Sequence, residues 1–471
     1  MSKPIVSSPA EPPCGASSLT IHKFGGAALA DPDAIRAAAD IVARLSGNAG
    51  STPSGLPSRT VVVASAFAGV TDALLSLARA ACGGANAPIS AAIAQLRARH
   101  LRVVDSLLSG LDADELRVVV HEAFSELEGL TSAANVAMEV GARELDLIVA
   151  RGERLAAQLL AAVMRSSGVA AVYVDATRLI ETDGRFGNAA PDLCRTATAS
   201  RVTLDPLLAS GMVPVVPGFI GRGLDGAVVT LGRGGSDLAA TVLARALGAE
   251  RVILWKDVDG LLSADPRVVA TARVIPHLSF REASELAHYG VKILHPRTLA
   301  PLEDSVRVYL RPFGKATAEG TEISNRLRTS PLPVQAIAAT MDQALVSVRG
   351  HGLRALPGIA TRTLTALHHA GLGAALISQA STDYAIAFTV SNAQAGAAIA
   401  ALRVALAPEL ASGDIEHIDA RVGVATIGVV GCGLAHEPGV AARVFGALAD
   451  AEINVVAAAQ GSGSGGSLSI V

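Results

Sequence analysis

Short apolar runs alternate with amphipathic segments along the first two thirds of the chain. Val61–Ala64 and Val213–Val216 have the length of buried strands, whereas Ala, Leu and Val recur with helical spacing through Ile89–Leu130. The pattern predicts strands at Leu19–Phe24, Thr60–Ala66, Ala170–Asp175, Val213–Gly218, Ala227–Leu231 and Arg251–Lys256. It predicts helices at Asp31–Leu45, from Thr71 onwards, across Ile89–Leu130 and at Leu238–Leu247. Strands separated by helices favour an α/β fold with a mainly parallel sheet.

The final third of the chain contains an internal repeat. Beyond a linker at Arg326–Val334, the order strand, helix, strand, strand occurs twice, and GIATRTLTAL at 358–367 is echoed by GVAARVFGAL at 439–448. The repeat predicts two copies of a small α+β unit. A helix and a strand that would complete the second copy are missing after it, so we expect either a fragment or an unusual completion of the fold.

Composition excludes several classes of protein. Hydrophobic residues make up 50% of the 471 residues and charged residues 17%, whereas disordered chains combine low hydrophobicity with high charge. A net charge of −3 and only 3% aromatic residues argue against nucleic-acid binding through a basic surface or through stacked bases. No apolar run approaches the roughly 18 residues of a membrane span.

The cysteines and the first residues indicate a compartment. Cys14, Cys82, Cys194 and Cys432 lie far apart without a CxxC pair, which argues against a disulfide framework and a structural zinc site. We therefore expect a reducing, cytoplasmic compartment. Residues 1–18 are rich in Pro and Ser and lack the apolar core of a signal peptide, so they are predicted to form a flexible leader.

Two glycine-rich turns follow predicted strands. Lys23-Phe24-Gly25-Gly26 follows the first strand, and GRGGSD at 232–237 lies between a strand and a helix. Backbone N–H groups in such turns can bind phosphate oxygens. By itself, the first motif is more typical of an ordinary turn, and a turn with a Ser or Asp cap is the alternative for the second motif. Arg233 within the second turn favours an anion.

Three further segments place charged residues at the ends of predicted elements. Asp257 follows a strand, where a carboxylate can orient a magnesium–nucleotide complex, although a polar turn is the alternative. Val268 replaces the closing glutamate of a calcium loop, so no protein metal site is predicted. Glu153 opens a helix and could serve only the helix dipole. Lys292 follows a helix and could be an ordinary solvated charge.

Taken together and in order, these motifs resemble those of the aspartate kinases of the amino-acid kinase superfamily. The resemblance runs from residue 19 to the end and rests on KFGG (23–26), SAFAGVTDALL (65–75), RGER (151–154), TDGRFGNA (182–189), PGFIG (217–221), LGRGGSD (231–237), DVDG with ADPR (257–267) and VKILHPRT (291–298). It implies a three-layer sandwich with a mainly parallel sheet as the catalytic domain over 19–325. The repeat resembles paired ACT regulatory domains of α+β, ferredoxin-like fold, at 335–410 and 420–471. These are most similar to the ACT domains of aspartokinase–homoserine dehydrogenase fusions.

The resemblance implies transfer of the ATP γ-phosphate, with Mg²⁺, to the side-chain carboxylate of L-aspartate. The product would be 4-phospho-L-aspartate, at the first step of lysine, threonine and methionine biosynthesis. By this resemblance the catalytic residues are Lys23, Asp237 and Lys292. The implied nucleotide contacts are Lys23, Gly25, Gly26, Gly234, Gly235, Asp257 and Lys292. The implied aspartate contacts are Glu153, Phe219, Arg233 and Ser236, with Arg233 suited to a carboxylate and Glu153 to the ammonium.

The chain departs from the family pattern at several alanines. Ala27 and Ala28 stand where the family usually has Thr-Ser, and Ala156 stands where it has Ser. The lost hydroxyls leave a second hypothesis open, that of a catalytically impaired homologue acting as an amino-acid-binding regulatory subunit. The retained charged residues favour the enzyme. A superfamily relative acting on another acid, such as acetylglutamate, is disfavoured by Glu153, Arg233 and the ACT repeats.

The paired ACT domains imply an amino-acid effector and a homo-oligomer. Gln379 and Gln460 fall where threonine-sensitive relatives carry effector-binding glutamines, so threonine is expected ahead of lysine. The alternative is that both glutamines are ordinary polar residues at strand ends. No nucleic-acid or membrane partner is expected.

Overall fold

A computed structural model describes residues 19–47, 59–83, 86–291, 293–302, 306–325, 332–350, 358–380, 385–461 and 466–471. The expected leader, most of the expected linker and Lys292 lie outside these residues. The chain divides into two compact units. The first comprises Met1–Val258 and Pro301–Ala318, and the second comprises Asp259–Ala300 and Glu319–Val471.

The strands and helices are numbered here in chain order. The strands are β1 Leu19–Phe24, β2 Arg59–Ala64, β3 Ala171–Tyr173, β4 Val213–Pro217, β5 Ile220–Arg222, β6 Val228–Thr230, β7 Arg251–Lys256, β8 His277–Leu278, β9 Arg307–Pro312, β10 Thr321–Ile323, β11 Ala336–Arg349, β12 Ile377–Ala380, β13 Ala385–Ser391, β14 His417–Val430, β15 Ala458–Gln460 and β16 Ser467–Ile470. The helices are α1 Pro32–Gly47, α2 Val70–Ala81, α3 Asn86–Leu107, α4 Gly110–Ala137, α5 Ala142–Ser166, α6 Leu193–Ala209, α7 Gly235–Leu247, α8 Phe280–His288, α9 Pro296–Leu299, α10 Ile359–His369, α11 Ala395–Ala405, α12 Ala407–Ser412, α13 Gly433–His436 and α14 Val440–Asp450.

The first unit is built on a parallel sheet in the order β3-β4-β2-β1-β7-β9. Strand β1 lies in its middle, and its six residues are all buried. Helix α5 packs against β2, β3 and β4, whereas α7 packs against β1, β2 and β7 with α6 beside it. Helices therefore cover the sheet, which explains why its strands read as continuous apolar runs.

Most predicted elements of this unit form with small shifts at their ends. The prediction that Glu153 opens a helix is wrong, because α5 begins at Ala142 and Glu153 lies in its middle. Strands β1 and β7 have the predicted bounds. Helix α1 begins at Pro32, and the Asp31 carboxylate accepts a hydrogen bond of 2.9 Å from the backbone N of Ala34. The long helical region predicted at 89–130 is two helices, because Gly110 adopts a left-handed φ of +63° and starts α4.

The second unit contains a six-stranded sheet in the order β12-β13-β11-β14-β16-β15. Strands β11 and β14 are each 14 residues long, and they pair antiparallel along most of their length. The later half of β11 pairs with β13, whereas the later half of β14 pairs with β16. Each long strand therefore serves both copies of the repeat.

The second copy of the repeat is completed by residues that precede it in the chain. Its additional strand is the first half of β11, where Ala336–Thr340 pair with Thr426–Val430. A helix, α8, packs against β11 and β14. These elements come from upstream of the first copy, which is the unusual completion of the fold that the sequence left open as one of two alternatives.

Tyr289 fixes the end of α8 to this sheet. Its ring lies against Gly428, where an added Cβ would lie 2.2 Å from ring carbons. Its hydroxyl is hydrogen-bonded to Ser469, and its carbonyl accepts a 2.9 Å bond from Thr340 Oγ1. Gly290 follows with a left-handed φ of +88°.

Among the described residues, no helix is long and apolar enough to cross a membrane.

Candidate active site

The carboxyl ends of four parallel strands meet at one edge of the first unit's sheet. Lys23 lies near the end of β1, and Lys256 ends β7. Ser65 follows β2, and Phe219 follows β4 closely. In open α/β sheets, ligands bind in the crevice outside this edge. The strand order thus gathers residues that are far apart in the sequence.

A pocket of about 300 Å³ lies at this edge. It is lined by nine of the residues that the sequence predicted for the site: Lys23, Gly26, Glu153, Phe219, Arg233, Gly234, Gly235, Ser236 and Asp237. Its other lining residues are Gly232 and residues of the loop and helix start at 65–72. The phosphate-type turns and the proposed aspartate contacts thus share one pocket.

The 232–237 turn depends on backbone conformations that favour glycine. Gly232 and Gly234 have φ of +76° and +73°, and Gly234 caps the N-terminus of α7. A Cβ on Gly232 would lie 2.5 Å from Asn188 Oδ1. These conformations turn the N-terminus of α7 toward the pocket, where its partial positive charge favours an anion.

Phe219 has a left-handed backbone although it is not glycine. Its φ is +69°, and its carbonyl accepts a 2.8 Å hydrogen bond from the backbone N of Leu231. An added Cβ on Gly235 would lie 2.7 Å from Phe219 Cδ2. The strained backbone therefore holds the aromatic ring against the first residue of α7, at the wall of the pocket.

Two lysines share the carboxylate of Asp237. Lys23 Nζ lies 2.7 Å from Oδ1, and Lys256 Nζ lies 2.6 Å from Oδ2. Burial alone would raise the pKa of Asp237, but the charges of Lys23 and Lys256 outweigh it and lower the pKa to about 2. Burial also lowers the pKa of Lys23, and contact with Asp237 opposes this. The cluster holds two potential cations for one fixed anion.

Glu153 carries an unsatisfied oxygen at the pocket. The residue is 3% exposed, and its Oε2 has no hydrogen-bond partner among the described residues. Burial raises the pKa of Glu153 to about 8, although the nearby backbone of Ala66 and the charge of Lys23 oppose this shift. A cationic group entering the pocket would satisfy this oxygen and favour the ionised form.

Other predicted residues lie elsewhere. Gly25 is adjacent to the pocket, since an added Cβ would lie 3.5 Å from Lys23 Nζ. Asp257 follows β7 and is exposed outside the pocket lining. Gln379 and Gln460 are exposed and belong to the second unit, on the two edge strands β12 and β15 of its sheet, which approach each other. Gln460 Nε2 donates a 2.9 Å bond to the Leu434 carbonyl.

Four polar residues of the site were not assigned from the sequence. Ser65, Thr71 and Asp72 line the pocket, and Lys256 contacts Asp237. The first three lie within the SAFAGVTDALL motif, which carried the resemblance without being given a role. The signal for Lys256 was its place at a strand end beside Asp257.

The alanines at the unusual positions differ in their environment. Ala27 is exposed, whereas Ala28 and Ala156 are packed into the hydrophobic core of the first unit. None of the three lines the pocket. Core packing therefore explains an apolar residue at 28 and at 156.

Within the described residues, no group of three or more His, Cys, Asp or Glu side chains could hold a metal ion.

Comparison with known proteins identifies both parts of the chain. Residues 18–311 match the Amino acid kinase family, and residues 346–406 and 427–470 match an ACT domain. The solved structure of E. coli aspartokinase III with aspartate and ADP matches 96% of this chain and 95% of its own, with a TM-score of 0.78 and 28% identity. The same enzyme with lysine and aspartate gives a TM-score of 0.74. The predicted fold class is therefore confirmed.

Sequence relatives give the same result. Lysine-sensitive aspartokinase 3 of E. coli K12 is 31% identical over 446 residues, which are 93% of each chain. The bifunctional aspartokinase/homoserine dehydrogenase of Haemophilus influenzae is 31% identical over 456 residues, which are 94% of this chain and 53% of the relative. The chain spans about half the length of such bifunctional relatives. It belongs to the amino acid kinase family and, within that family, is related to the aspartokinases that carry ACT domains.

Proposed function

We propose that the chain is an ATP-dependent aspartate kinase that forms 4-phospho-L-aspartate. The observation that carries the proposal is that Lys23, Asp237, Arg233 and the unsatisfied Glu153 line one pocket, where Lys256 also contacts Asp237. Similarity over nearly the whole of E. coli aspartokinase III, whose structure holds aspartate and ADP, supports it.

The two lysines suit the transferring phosphoryl group. Phosphoryl transfer needs in-line positioning and positive charge against the phosphate oxygens. Asp237 is held ionised and fixes both lysines, so these cations are in place before the reaction begins. The N-terminus of α7 adds positive potential through Gly235 and Ser236. An oxygen of the substrate carboxylate attacks the γ-phosphorus, the bond to the bridging oxygen breaks, and ADP leaves. This step requires no protein nucleophile.

The remaining polar residues suit an amino acid with two carboxylates. The Arg233 guanidinium can bind one carboxylate through two hydrogen bonds. Glu153 can bind the ammonium, and Phe219 forms a wall. The other carboxylate is then left to face the phosphate. Ser65, Thr71 and Ser236 supply hydroxyls at the pocket, and they offer hydrogen bonds in place of those that residues 27, 28 and 156 lack.

Magnesium would arrive with the nucleotide. The described residues offer no metal-ligand cluster, and Asp237 is already paired with two lysines. This fits an ion carried mainly on the ATP phosphates, as Mg²⁺ commonly is, and it would supply further positive charge there. Asp257 and Lys292 remain proposed nucleotide contacts by family resemblance.

Regulation and organisation follow the same resemblance. We infer a kinase domain over 19–325 and ACT domains over 335–410 and 420–471, with an amino-acid effector and a homo-oligomer formed through the ACT domains. Gln379 and Gln460 favour threonine over lysine, and both should be tested because an E. coli relative is lysine-sensitive. The separated cysteines favour the cytoplasm.

The impaired regulatory subunit is the rival function. It rests on Ala27, Ala28 and Ala156, which lie outside the pocket lining, whereas the charged residues line or contact the pocket. Trapping the acyl phosphate with hydroxylamine, in the presence of Mg²⁺, ATP and L-aspartate, distinguishes the two. We expect hydroxamate from the wild type and from Lys315→Met, and at least about 10²-fold less from Lys23→Met. Amino-acid binding without hydroxamate would favour the regulatory subunit.

A further inference from the structure

Helix α3 contacts a loop that lines the pocket, although no recognised motif lies on this helix. Arg99, in this helix, donates from Nη1 to the Ala68 carbonyl at 2.8 Å and from Nη2 to the Ala30 carbonyl at 3.2 Å. Ala68 lines the pocket. Ala30 follows the short helical turn Gly26–Leu29, which begins within the KFGG motif. One guanidinium thus joins the two loops that flank Lys23.

The two loops are in contact where Arg99 joins them. A Cβ on Gly26 would lie 3.4 Å from both the Ala66 carbonyl oxygen and Ala68 Cα. A planar guanidinium donates in fixed directions, so it can hold two carbonyls at a set separation. Arg99 therefore constrains the spacing between the 23–30 segment and the 65–72 loop.

The next residue of α3 holds the same loop by a second contact. The rings of His100 and Phe67 are stacked with centroids 4.9 Å apart. His100 is 1% exposed, and its Nδ1 lies 2.8 Å from the Leu96 carbonyl oxygen, so its ring is fixed to the helix. Consecutive residues of α3 therefore hold both the backbone and a side chain of the 65–72 loop.

The loop in turn packs against the helix that carries the proposed ammonium ligand. An added Cβ on Gly152, the residue before Glu153, would lie 2.9 Å from Ala66 Cβ, and Ala66 and Glu153 line the same pocket. A displacement of the loop would loosen this packing and move the pocket wall. We propose that Arg99 is a positioning residue for aspartate binding, which acts by holding the 65–72 loop, and thereby Glu153, in register with the Lys23 segment. The kinetic consequences of this inference rest on the proposed function, whereas its structural consequences do not.

The test compares Arg99→Gln with Arg102→Gln, since Arg102 is exposed on the same helix. For Arg99→Gln we expect kcat/KM for aspartate to fall about 10- to 100-fold, with the KM for ATP changed by less than about threefold. The pH at which aspartate kcat/KM levels off should also rise. The backbone of Ala66 lowers the pKa of Glu153, and this effect weakens when the loop moves away. Arg99→Lys keeps the positive charge but lacks the planar guanidinium with its two donors, so it should resemble Arg99→Gln.

Hydrogen–deuterium exchange separates this inference from the proposed function. Amides of 65–72 should exchange faster in Arg99→Gln than in Arg102→Gln, while β1 and α5 keep wild-type rates. If the wild type forms no acyl phosphate, the proposed function fails, but faster exchange confined to this loop still supports the role of Arg99. Unchanged exchange, exchange raised throughout the unit, or full rescue by Arg99→Lys would overturn it.

Discussion

Lys256 Nζ contacts the carboxylate oxygen of Asp237 that faces away from Lys23, at 2.6 Å. The two lysines come from the ends of neighbouring strands, β7 and β1, whose pairing is parallel. Each ammonium fixes the carboxylate for the other. The cluster retains a positive excess that a phosphate group can share, so Lys256 belongs to the proposed phosphoryl-binding residues together with Lys23.

Replacing Lys256 with Met removes one cation while it keeps a side chain of similar length. We expect kcat to fall by about 10²-fold, since one preorganised charge is lost from the transferring group. The pKa of Asp237 should rise, because one of the two lysines that lower it is gone. Steady-state kinetics with Lys315→Met as the control measure the effect. Wild-type kcat in Lys256→Met would remove this lysine from the mechanism.

The raised pKa of Glu153 predicts that kcat/KM for aspartate depends on pH. Burial raises this pKa to about 8, so the free site is largely protonated below that pH. Binding of the ammonium requires the carboxylate, and kcat/KM reports ionisations of the free enzyme. Aspartate kcat/KM should therefore rise about tenfold per pH unit from pH 6.5 and level off near pH 8.

The matched variant for this prediction is Glu153→Gln. It should lower aspartate kcat/KM at pH 8 by at least about 10²-fold, because the ammonium loses its charged partner. It should also abolish the pH-dependent rise. A rise that persists in Glu153→Gln would mean that a different group titrates.

Replacing two helical glycines of the first unit with alanine should have opposite effects on stability. A Cβ on Gly152 would lie 2.9 Å from Ala66 Cβ and 3.2 Å from Val70 Cγ1, whereas a Cβ on Gly129 in α4 would meet nothing within 4 Å. Gly129→Ala should stabilise the protein by about 0.5–1 kcal/mol through helix propensity. Gly152→Ala should destabilise it by about 1–3 kcal/mol and reduce activity. Urea unfolding and kinetics test both, and equal effects would contradict this packing.

His22 predicts a loss of stability in acid. It is buried in β1, where Trp255 Nε1 donates to its Nδ1 at 3.3 Å. Burial first, and then the charge of Arg311, lowers its pKa from 6.5 to about 3. The unfolded chain binds this proton below pH 6.5 and the folded chain does not, so stability falls by about 1.4 kcal/mol per pH unit as pH decreases from 6.5 towards 3.

The check uses His22→Gln, with exposed His121→Gln as the control. Urea midpoints should show the stability gap between wild type and His22→Gln narrowing from pH 7 to pH 5, since only the wild type loses the contribution of this histidine. The gap for His121→Gln should stay constant. A gap that is independent of pH in both variants would contradict the assignment.

The sequence predicted most strands of the first unit because they are buried apolar runs with a polar or glycine-rich end. It did not predict β5, which has only three residues, or β9, in which buried and half-buried residues alternate. The bounds of β1 and β7 were correct, and nine predicted residues line one pocket. Lys256 was missed because its role depends on strand order, which brings β7 beside β1. Arg99 was missed because its contacts are to backbone carbonyls, which leave no trace in a residue pattern.

The second unit was predicted less completely for a topological reason. Both copies and their helices near 359 and 440 could be predicted because each copy is largely continuous in the sequence. Helix α8 could not be assigned to the second copy, because that helix precedes the first. The sharing of β11 and β14 between the copies likewise depends on pairing between distant residues.

The most direct test of the central claim uses L-aspartate labelled with ¹⁸O in its side-chain carboxylate alone. The acyl phosphate formed with Mg²⁺ and ATP is cleaved by hydroxylamine at the carbonyl carbon, so the bridging oxygen leaves with phosphate. We predict that the phosphate released from trapped product carries one ¹⁸O, and that at least about 10²-fold less of it forms with Lys23→Met. Aspartate-dependent phosphate without ¹⁸O would contradict the side-chain carboxylate as the phosphoryl acceptor.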